Sequence, residues 1–426
     1  MSDYQTLDHD SESESLLPGP NTENENAPLL GSSRSGRIPE PQNCFPDLLD
    51  YTQLVKNVEI AITRGQMPER IIQGSSGSYF VKNIDGDIVG VFKPKCEEPY
   101  GPQNPKWGKY IQRMMCPCAF GRTCLLSNQG YLSETGASIV DKMLGLDMVP
   151  VTRVVHLTAE SFNYSAIDRA KSKTKTATAE RIPKLGKKFN RLGLPPKTGS
   201  LQTFVSGYKD AEYWLRRWDD TISETAKSEF QLQFERLVVL DYLIRNTDRG
   251  SENWLIKYSP ELESDSGESV NDEWSVVKPA QVKIAAIDNG LAFPVKHPDS
   301  WRAYPYHWAW LSQAQKPFSE DTIQLVLHKV NNPGFIEELV EELKDVFKMD
   351  SDFSEKKFEK QMSVLRGQAL NLSQAMRERK SPAQLVQMTP ITINKSPATS
   401  IGGRIRSATQ HFTQKFQLTR PVFSWC

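Results

Sequence analysis

The sequence predicts an α+β fold of two lobes, a small β-rich one followed by a larger, mainly helical one. Three observations point there. β-prone stretches with turn signals gather before residue 206: Ser78–Val81, Ile88–Val91, Val149–Leu157 and Leu201–Val205, the first two separated by the turn pair Asp85-Gly86. Helical periodicity takes over afterwards, in the apolar run Phe230–Arg245 and in the faces Ile336, Leu339, Val340, Leu343, Phe347 and Phe358, Met362, Leu365, Ala369, Leu372. A length of 426 residues is ample for about two lobes.

In chain order, residues 1–45 are rich in Ser, Glu, Asn and Pro, with little to bury, and read as a disordered acidic tail. Leu48, Leu49, Val55, Val58 and Ile62 share a helical spacing and predict a helix over 48–64. The small lobe is expected over 46–200. Besides its strands, it holds a helix over Gly130–Leu144. The large lobe is expected over 201–380, with Leu201–Val205 at the link between lobes and Val282–Ile287 as a buried strand. The acidic, Ser-rich stretch Ser259–Glu273 reads as a surface insertion. Periodicity fades near 380, and 381–426 reads as a flexible C-terminal tail.

Charge and composition narrow the function classes. Lys plus Arg number 52 and Asp plus Glu number 52, so no global field selects nucleic acid. No run of 18 apolar residues suggests a transmembrane helix. The acidic, polar start reads against a signal peptide. Six cysteines, Cys44, Cys96, Cys116, Cys118, Cys124 and Cys426, are sparse and irregular, as in a reduced cytosolic protein.

The chemistry-bearing residues come in a telling order. Gln73-Gly74-Ser75-Ser76-Gly77 is a small-residue turn whose backbone N–H groups can approach phosphate oxygens; no Gly-Lys-Ser/Thr follows, so it is not a P-loop. Lys93 emerges from the next strand, within reach of a nucleotide's phosphates. Asp248 and Asn253 stand five apart in one loop, and Asp288 ends an apolar strand. Singly, each has an ordinary explanation: a plain loop, a solvated lysine, a capped turn. Together they read as a protein-kinase-like site. Asp248 orients or deprotonates an attacking hydroxyl, and Asn253 with Asp288 holds metal on the ATP phosphates. Glu134 is then a candidate partner for Lys93, and the backbone of Gln202–Val205 for the adenine edge.

Other features allow a membrane reading beside a structural one. Met114–Phe120 carries Cys116 and Cys118 around Pro117, with Cys124 close by; no nearby His completes a zinc site. S-acylation and burial as small hydrophobes both fit these thiols. Ile167–Thr198 is strongly basic, from Arg169 to Lys197, and suits an anionic leaflet or a solvated loop; no nucleic-acid reader motif accompanies it. Trp301, Tyr304, Tyr306, Trp308 and Trp310 suit a membrane interface or the packing of an activation-type segment. Two Glu-x3-Leu-Leu strings end at Leu17 and Leu30, a pattern read by clathrin adaptor complexes.

The strings Gln73–Lys82, Val91–Lys95, Glu97–Gly101, Asn128–Glu134, Arg245–Gly250, Asn253–Lys257, Ala286–Phe293 and His297–Tyr304 resemble the type II phosphatidylinositol 4-kinases, over about residues 65–380. The resemblance implies a phosphoinositide-kinase fold and ATP-dependent phosphorylation of the inositol 4-hydroxyl of phosphatidylinositol, with magnesium or manganese. It implies work at the cytosolic face of trans-Golgi, endosomal and plasma membranes. It assigns Ile71, Ile72 and Gln73–Gly77 to the phosphates, Lys93 and Asp288 to ATP, and Gln202, Thr203, Phe204 and Val205 to adenine. Asp248 falls in the catalytic loop with Asn253 as partner to Asp288. Glu98, Pro99 and Tyr100 are assigned to substrate, Cys116 and Cys118 to palmitoylation, and Trp301–Trp310 to the bilayer. The family's Cys-Cys-Pro-Cys-Cys tract is here Met115-Cys-Pro-Cys-Ala119, with two thiols fewer, which implies weaker or more reversible anchoring. The short acidic N-terminus leans toward the beta type or an invertebrate relative. The competing readings are a catalytically weak membrane adaptor that recruits clathrin adaptors, and a protein kinase; the absence of His-Arg-Asp and Asp-Phe-Gly strings disfavours the latter.

Overall fold

The computed structural model describes residues 43–106, 122–181, 193–217, 223–260, 280–395 and 412–416. The small lobe is built on one antiparallel sheet. Strands β1 (Glu69–Ile71), β2 (Ser78–Lys82) and β3 (Ile88–Pro94) are joined by hairpins, and β5 (Lys197–Thr203) sits between β3 and β4 (Thr152–Leu157), in the order β1-β2-β3-β5-β4. Helix α1 (Leu49–Thr63) covers one face. Its Tyr51, Val55 and Val58 pack with Tyr79, Val81, Phe92 and Leu201 into a closed apolar cluster. The alternation of β3 follows directly: Gly90, Phe92 and Pro94 are buried, while Val89, Val91 and Lys93 take the other face. The Asp85-Gly86 turn forms as predicted, with Gly86 at φ +93°.

Helix α2 (Gly130–Leu144) lies between this sheet and the helical lobe and is buried on nearly all sides. Gly136 lets it approach Phe293, because a Cβ there would stand 3.0 Å from the ring. Helix α3 (Ala166–Arg181) occupies much of the basic stretch. Lys197 departs from the surface reading of that stretch. It is buried, and its Nζ donates to Glu97, Gln103 and the Asn163 carbonyl at 2.6–2.8 Å.

Beyond the link, β6 (Lys209–Asp210), β7 (Trp254–Ser259) and β8 (Gln281–Ala286) form a second antiparallel sheet. Around it are α4 (Ala211–Leu215), α5 (Glu224–Leu243), α6 (Glu320–Val330), α7 (Pro333–Phe347) and α8 (Glu355–Arg377). Their apolar faces and those of α2 share the larger core, which includes Phe230, Phe234, Leu240, Leu339, Leu343, Phe347 and Leu372.

The chain does not lose structure at 380. Helix α9 (Pro382–Val386) starts with a capping box between Ser381 and Gln384 and buries Leu385. Strand β9 (Ile391–Lys395) crosses α8 at Gly367, where a Cβ would come within 1.8 Å of the Ile391 carbonyl, and pairs with β10 (Phe412–Phe416). Five-residue elements carry too little periodicity for a sequence reading to detect. The lobe boundary placed after residue 200 also cuts β5, whose seven residues all belong to the first sheet. The dileucine strings, Cys116, Cys118 and most of the 259–273 insertion lie outside the described residues.

Candidate active site

The cleft between lobes is roofed by the β1–β2 hairpin. Ile71 ends β1, Ile72 is exposed, and Gln73–Gly77 form the turn, with Gly74 at φ +88°. The turn is anchored from behind. Asn104 is buried and its amide nitrogen donates to the carbonyls of Ser75, Glu97 and Glu98 at 3.1, 3.0 and 2.8 Å. Lys106 donates to the Gly74 carbonyl. With these carbonyls engaged, the N–H groups of Gln73–Ser76 have no partner among the described residues. The Gly77 N–H, in contrast, donates to Glu97 O at 2.9 Å.

Lys93 reaches the cleft on the solvent-facing side of β3. Its Nζ contacts Glu134 Oε1 and lies 3.0 Å from Asp288 Oδ1. This is the lysine–glutamate pair expected from the sequence, with Asp288 added. Burial disfavours the charge on Lys93, but Asp288 and Glu134 outweigh it and raise its pKa above the usual lysine value. The two carboxylates are driven apart. Lys93 holds Asp288 below the usual aspartate value, whereas burial pushes Glu134 up despite the lysine. Glu134 is nearly inaccessible and its other oxygen accepts the Asn289 N–H at 3.0 Å, while Asp288 is 57% exposed. Asp288 is therefore the more exposed of the two carboxylates and the one that favours its charged form. It adopts φ +53°, unusual for a residue with a Cβ and held by its bonded neighbours.

The loop after α5 carries Asp248 and Asn253. The Asn253 amide nitrogen donates to Asp248 O at 2.7 Å, and the Asn253 carbonyl accepts the Ile287 N–H at 3.1 Å, so this loop and the Asp288 strand form one floor. Arg122 bonds Asp248 Oδ1 at 2.6 Å. Sequence reasoning missed the residue that holds the floor, Arg249. It is fully buried; its Nε grips both oxygens of Asp241 at 2.9 and 3.0 Å, and its other nitrogens donate to the carbonyls of Asn253 and Ile287 and to Asn289 Oδ1. An arginine beside an aspartate in a polar loop gives no sign of burial. The one available signal is Asp241 inside the apolar run of α5, a charge that must find a partner.

At the link, Thr203 and Phe204 already spend their N–H groups on Val151 and Val89 carbonyls at 3.0 and 2.9 Å. Gln202 is buried and donates to Thr152. Among the described residues, the Val205 amide has no partner. Phe204 is half exposed and meets Phe80 edge to face.

One assignment changes and another gains a structural role. Tyr306 and Trp308 are core residues and not a membrane surface: the Trp308 indole donates to Asp241 Oδ2 at 3.0 Å, and Tyr306 stacks on Trp308. The Tyr304 ring is covered by Arg122, whereas Trp310 is 71% exposed. Glu98 is buried, with its carboxylate accepting the N–H groups of Gly130 and Tyr131 at 3.1 and 2.8 Å. It caps α2, with each oxygen accepting one N–H, a structural role beside the substrate assignment. Pro99 and Tyr100 are partly exposed beside it.

The family description "phosphatidylinositol 3- and 4-kinase" matches residues 74–371. The chain is 53% identical to the phosphatidylinositol 4-kinase type 2-alpha of Xenopus laevis, over 96% of this chain and 86% of that one. It is 53% identical to the type 2-beta protein of Gallus gallus, over 95% and 88%, so identity does not support the lean toward the beta type. A structure of hydra Fam20 with sugar overlays with a TM-score of 0.38 at 11% identity, over 74% of this chain and 84% of that one, which is too loose to carry an argument. A domain match through both halves of the cleft, and identity above one half across nearly the whole chain, place it in the phosphatidylinositol 3- and 4-kinase family, among the type 2 phosphatidylinositol 4-kinases.

Proposed function

We propose that the protein transfers the γ-phosphate of ATP to the 4-hydroxyl of phosphatidylinositol, giving phosphatidylinositol 4-phosphate on cytosolic membrane faces in Golgi and endosomal trafficking. The observation that carries this reading is Lys93 bridging Glu134 and Asp288 beneath the glycine–serine roof. Lys93 neutralises phosphate charge, and Glu134 aims it. The turn amides of Gln73–Ser76 cover the phosphates, and Val205 meets the adenine edge. Asp248 orients or deprotonates the ring hydroxyl for in-line attack. Most of the acceleration comes from positioning and electrostatics.

Asp288 and Asn253 fit a magnesium or manganese ion. They offer a carboxylate and an amide, and no cluster of three or more His, Cys, Asp or Glu occurs among the described residues. So sparse a donor set suits a hard cation that arrives on nucleotide phosphates and keeps several waters. When bound, it neutralises charge on those phosphates.

Among the described residues no helix is long and apolar enough to cross a membrane. Attachment is assigned to palmitoylation of Cys116 and Cys118, helped by exposed Trp310 and by Lys209 and Arg217 around the Tyr213 ring. Clathrin adaptor complexes are assigned to the two dileucine strings. A purely adaptor role is disfavoured by the intact set Lys93, Glu134, Asp248, Asn253 and Asp288.

The test is transfer of labelled phosphate from ATP to phosphatidylinositol in mixed micelles, resolving the ring position, for wild type and Asp288→Ala. Label at the 4-position, lost in a folded Asp288→Ala protein, is the expected result. Full activity in that variant would refute the site, and no transfer by a folded, ATP-binding wild type would favour the adaptor reading.

A further inference from the structure

Asp248 is a short side chain, 45% exposed, and nothing in its own loop fixes its carboxylate. Unrestrained, the group would rotate and present either oxygen. Arg122 removes that freedom. One nitrogen bonds Asp248 Oδ1 at 2.6 Å and another donates to the carbonyl of Thr247, so the guanidinium spans side chain and backbone of adjacent residues. A planar fork fixes both bonds in one geometry, whereas a lysine ammonium is a point charge on a flexible stem. Arg122 is itself held. Its guanidinium lies 4.3 Å from the centre of the Tyr304 ring. Tyr304 is fixed in turn at φ +44°, and Arg245 donates to the carbonyls of Ala303 and Tyr304 at 2.9 and 3.3 Å. The chain Arg245–Tyr304–Arg122–Asp248 thus runs from the segment after Asp288 back to the catalytic loop. It occupies Oδ1, while Oδ2 has no bond among the described residues and is the oxygen left for an acceptor hydroxyl.

We propose that Arg122 is a positioning residue for phosphoryl transfer, holding Asp248 with Oδ2 toward the acceptor, and that Tyr304 supports it. This rests on the role given to Asp248 above. Arg122 touches neither nucleotide nor acceptor in this arrangement, so its loss affects turnover and leaves nucleotide affinity alone.

The experiment measures kcat and KM for ATP with phosphatidylinositol in mixed micelles, with thermal melting as a check on folding. Arg122→Ala is expected to lower kcat by about tenfold to a hundredfold, the scale of a misplaced catalytic group, with KM for ATP within about twofold. Arg122→Lys recovers only part of the loss. Tyr304→Leu lowers kcat several-fold with the ion pair still present. A kcat in Arg122→Ala that equals or exceeds wild type overturns the proposal, since the pair would then be a bystander or a restraint. If Arg122→Ala melts early, Tyr304→Leu decides, and wild-type kcat there overturns it too. Asp248→Asn separates this idea from the function it rests on. If Asp248→Asn turns over normally, the role of Asp248 fails. If Asp248→Asn keeps only a small residual rate and Arg122→Ala lowers that rate by the same factor as in wild type, the function stands and the positioning role falls.

Discussion

The roof and floor of the cleft solve the same problem in opposite ways. The floor, Asn246–Asn253 with Ile287–Asn289, is locked from inside by buried Arg249, which joins α5, the catalytic loop and the Asp288 strand in one hydrogen-bonded unit. The roof, Ile71–Gly77, is exposed toward its tip and hangs from a few bonds made by Asn104, Lys106 and Glu97. On the proposed function, a floor that presents a base and a metal ligand in fixed relation gains from rigidity, and a roof that admits and releases a nucleotide gains from being held at its base alone. Damage to the floor should therefore cost stability and activity together, and damage to the roof should cost mainly nucleotide affinity.

The largest effect is expected at Arg249. Arg249→Leu leaves Asp241 buried without its partner, at a cost of about 3–5 kcal/mol. Denaturant unfolding should show that loss, with activity gone at temperatures where the variant is still folded. Arg249→Lys should recover little, because an ammonium cannot reach Asp241, Asn289 and two carbonyls together. A folded, active Arg249→Leu protein would mean that the floor is held by the sheet alone.

The same contrast governs what the sequence could reveal. Lys93, Glu134, Asp248, Asn253 and Asp288 stood out because the chemistry proposed for them imposes an order along the chain, and the structure brings Lys93, Glu134 and Asp288 into direct contact. The hairpin strands and long helices were legible from period and turn residues. Arg249 was not, since burial of a loop arginine depends on Asp241 and Asn289, far from it in sequence or on another element. Tyr306 and Trp308 were ambiguous for a related reason. An aromatic cluster has the same composition whether it faces lipid or core, and only the position of Asp241 settles where the indole N–H goes. The capping role of Glu98 was hidden because it lies in a string matched as a whole, within which nothing singles out the residue that meets the helix amides.

A smaller effect is expected in the roof. Asn104→Ala releases the Ser75 carbonyl and leaves those of Glu97 and Glu98 held by the Gly77 and Gly101 N–H groups. Losing net bonds of about 1 kcal/mol each predicts a KM for ATP raised by about tenfold, with kcat changed by less than about threefold. Steady-state kinetics at saturating phosphatidylinositol would read this directly. If kcat fell and KM stayed constant, the roof would be part of the catalytic frame, and the contrast with the floor would disappear.

The smallest effect concerns Glu98, the strut between roof and helix: its carbonyl accepts from the roof's anchor Asn104 and its carboxylate from the Gly130 and Tyr131 amides of α2. Burial pushes the Glu98 carboxyl up to about 7, although the Tyr131 and Gly130 amides pull it down; burial likewise raises Asp141 to about 7 against the Met148 and Val149 amides. Both groups keep their proton in the folded protein at pH values where the unfolded chain has lost it, near 4 for ordinary carboxyls. Their contribution to stability is therefore complete below about pH 4 and is lost as pH rises through about 7. Their part of the stability curve slopes downward from pH 4.5 to 7, by at most about 1.4 kcal/mol per pH unit for each full proton. Glu98→Gln should flatten that slope by its own share, measured as unfolding midpoints at pH 5.5 and 7.5 on wild type and variant. The opposing force is the amino end of α2, whose amides favour an ionised cap. Equal slopes in the two proteins would show that those amides win and that Glu98 is charged throughout. The strut would then belong with the floor, as a rigid, fully paired element, instead of with the loosely held roof.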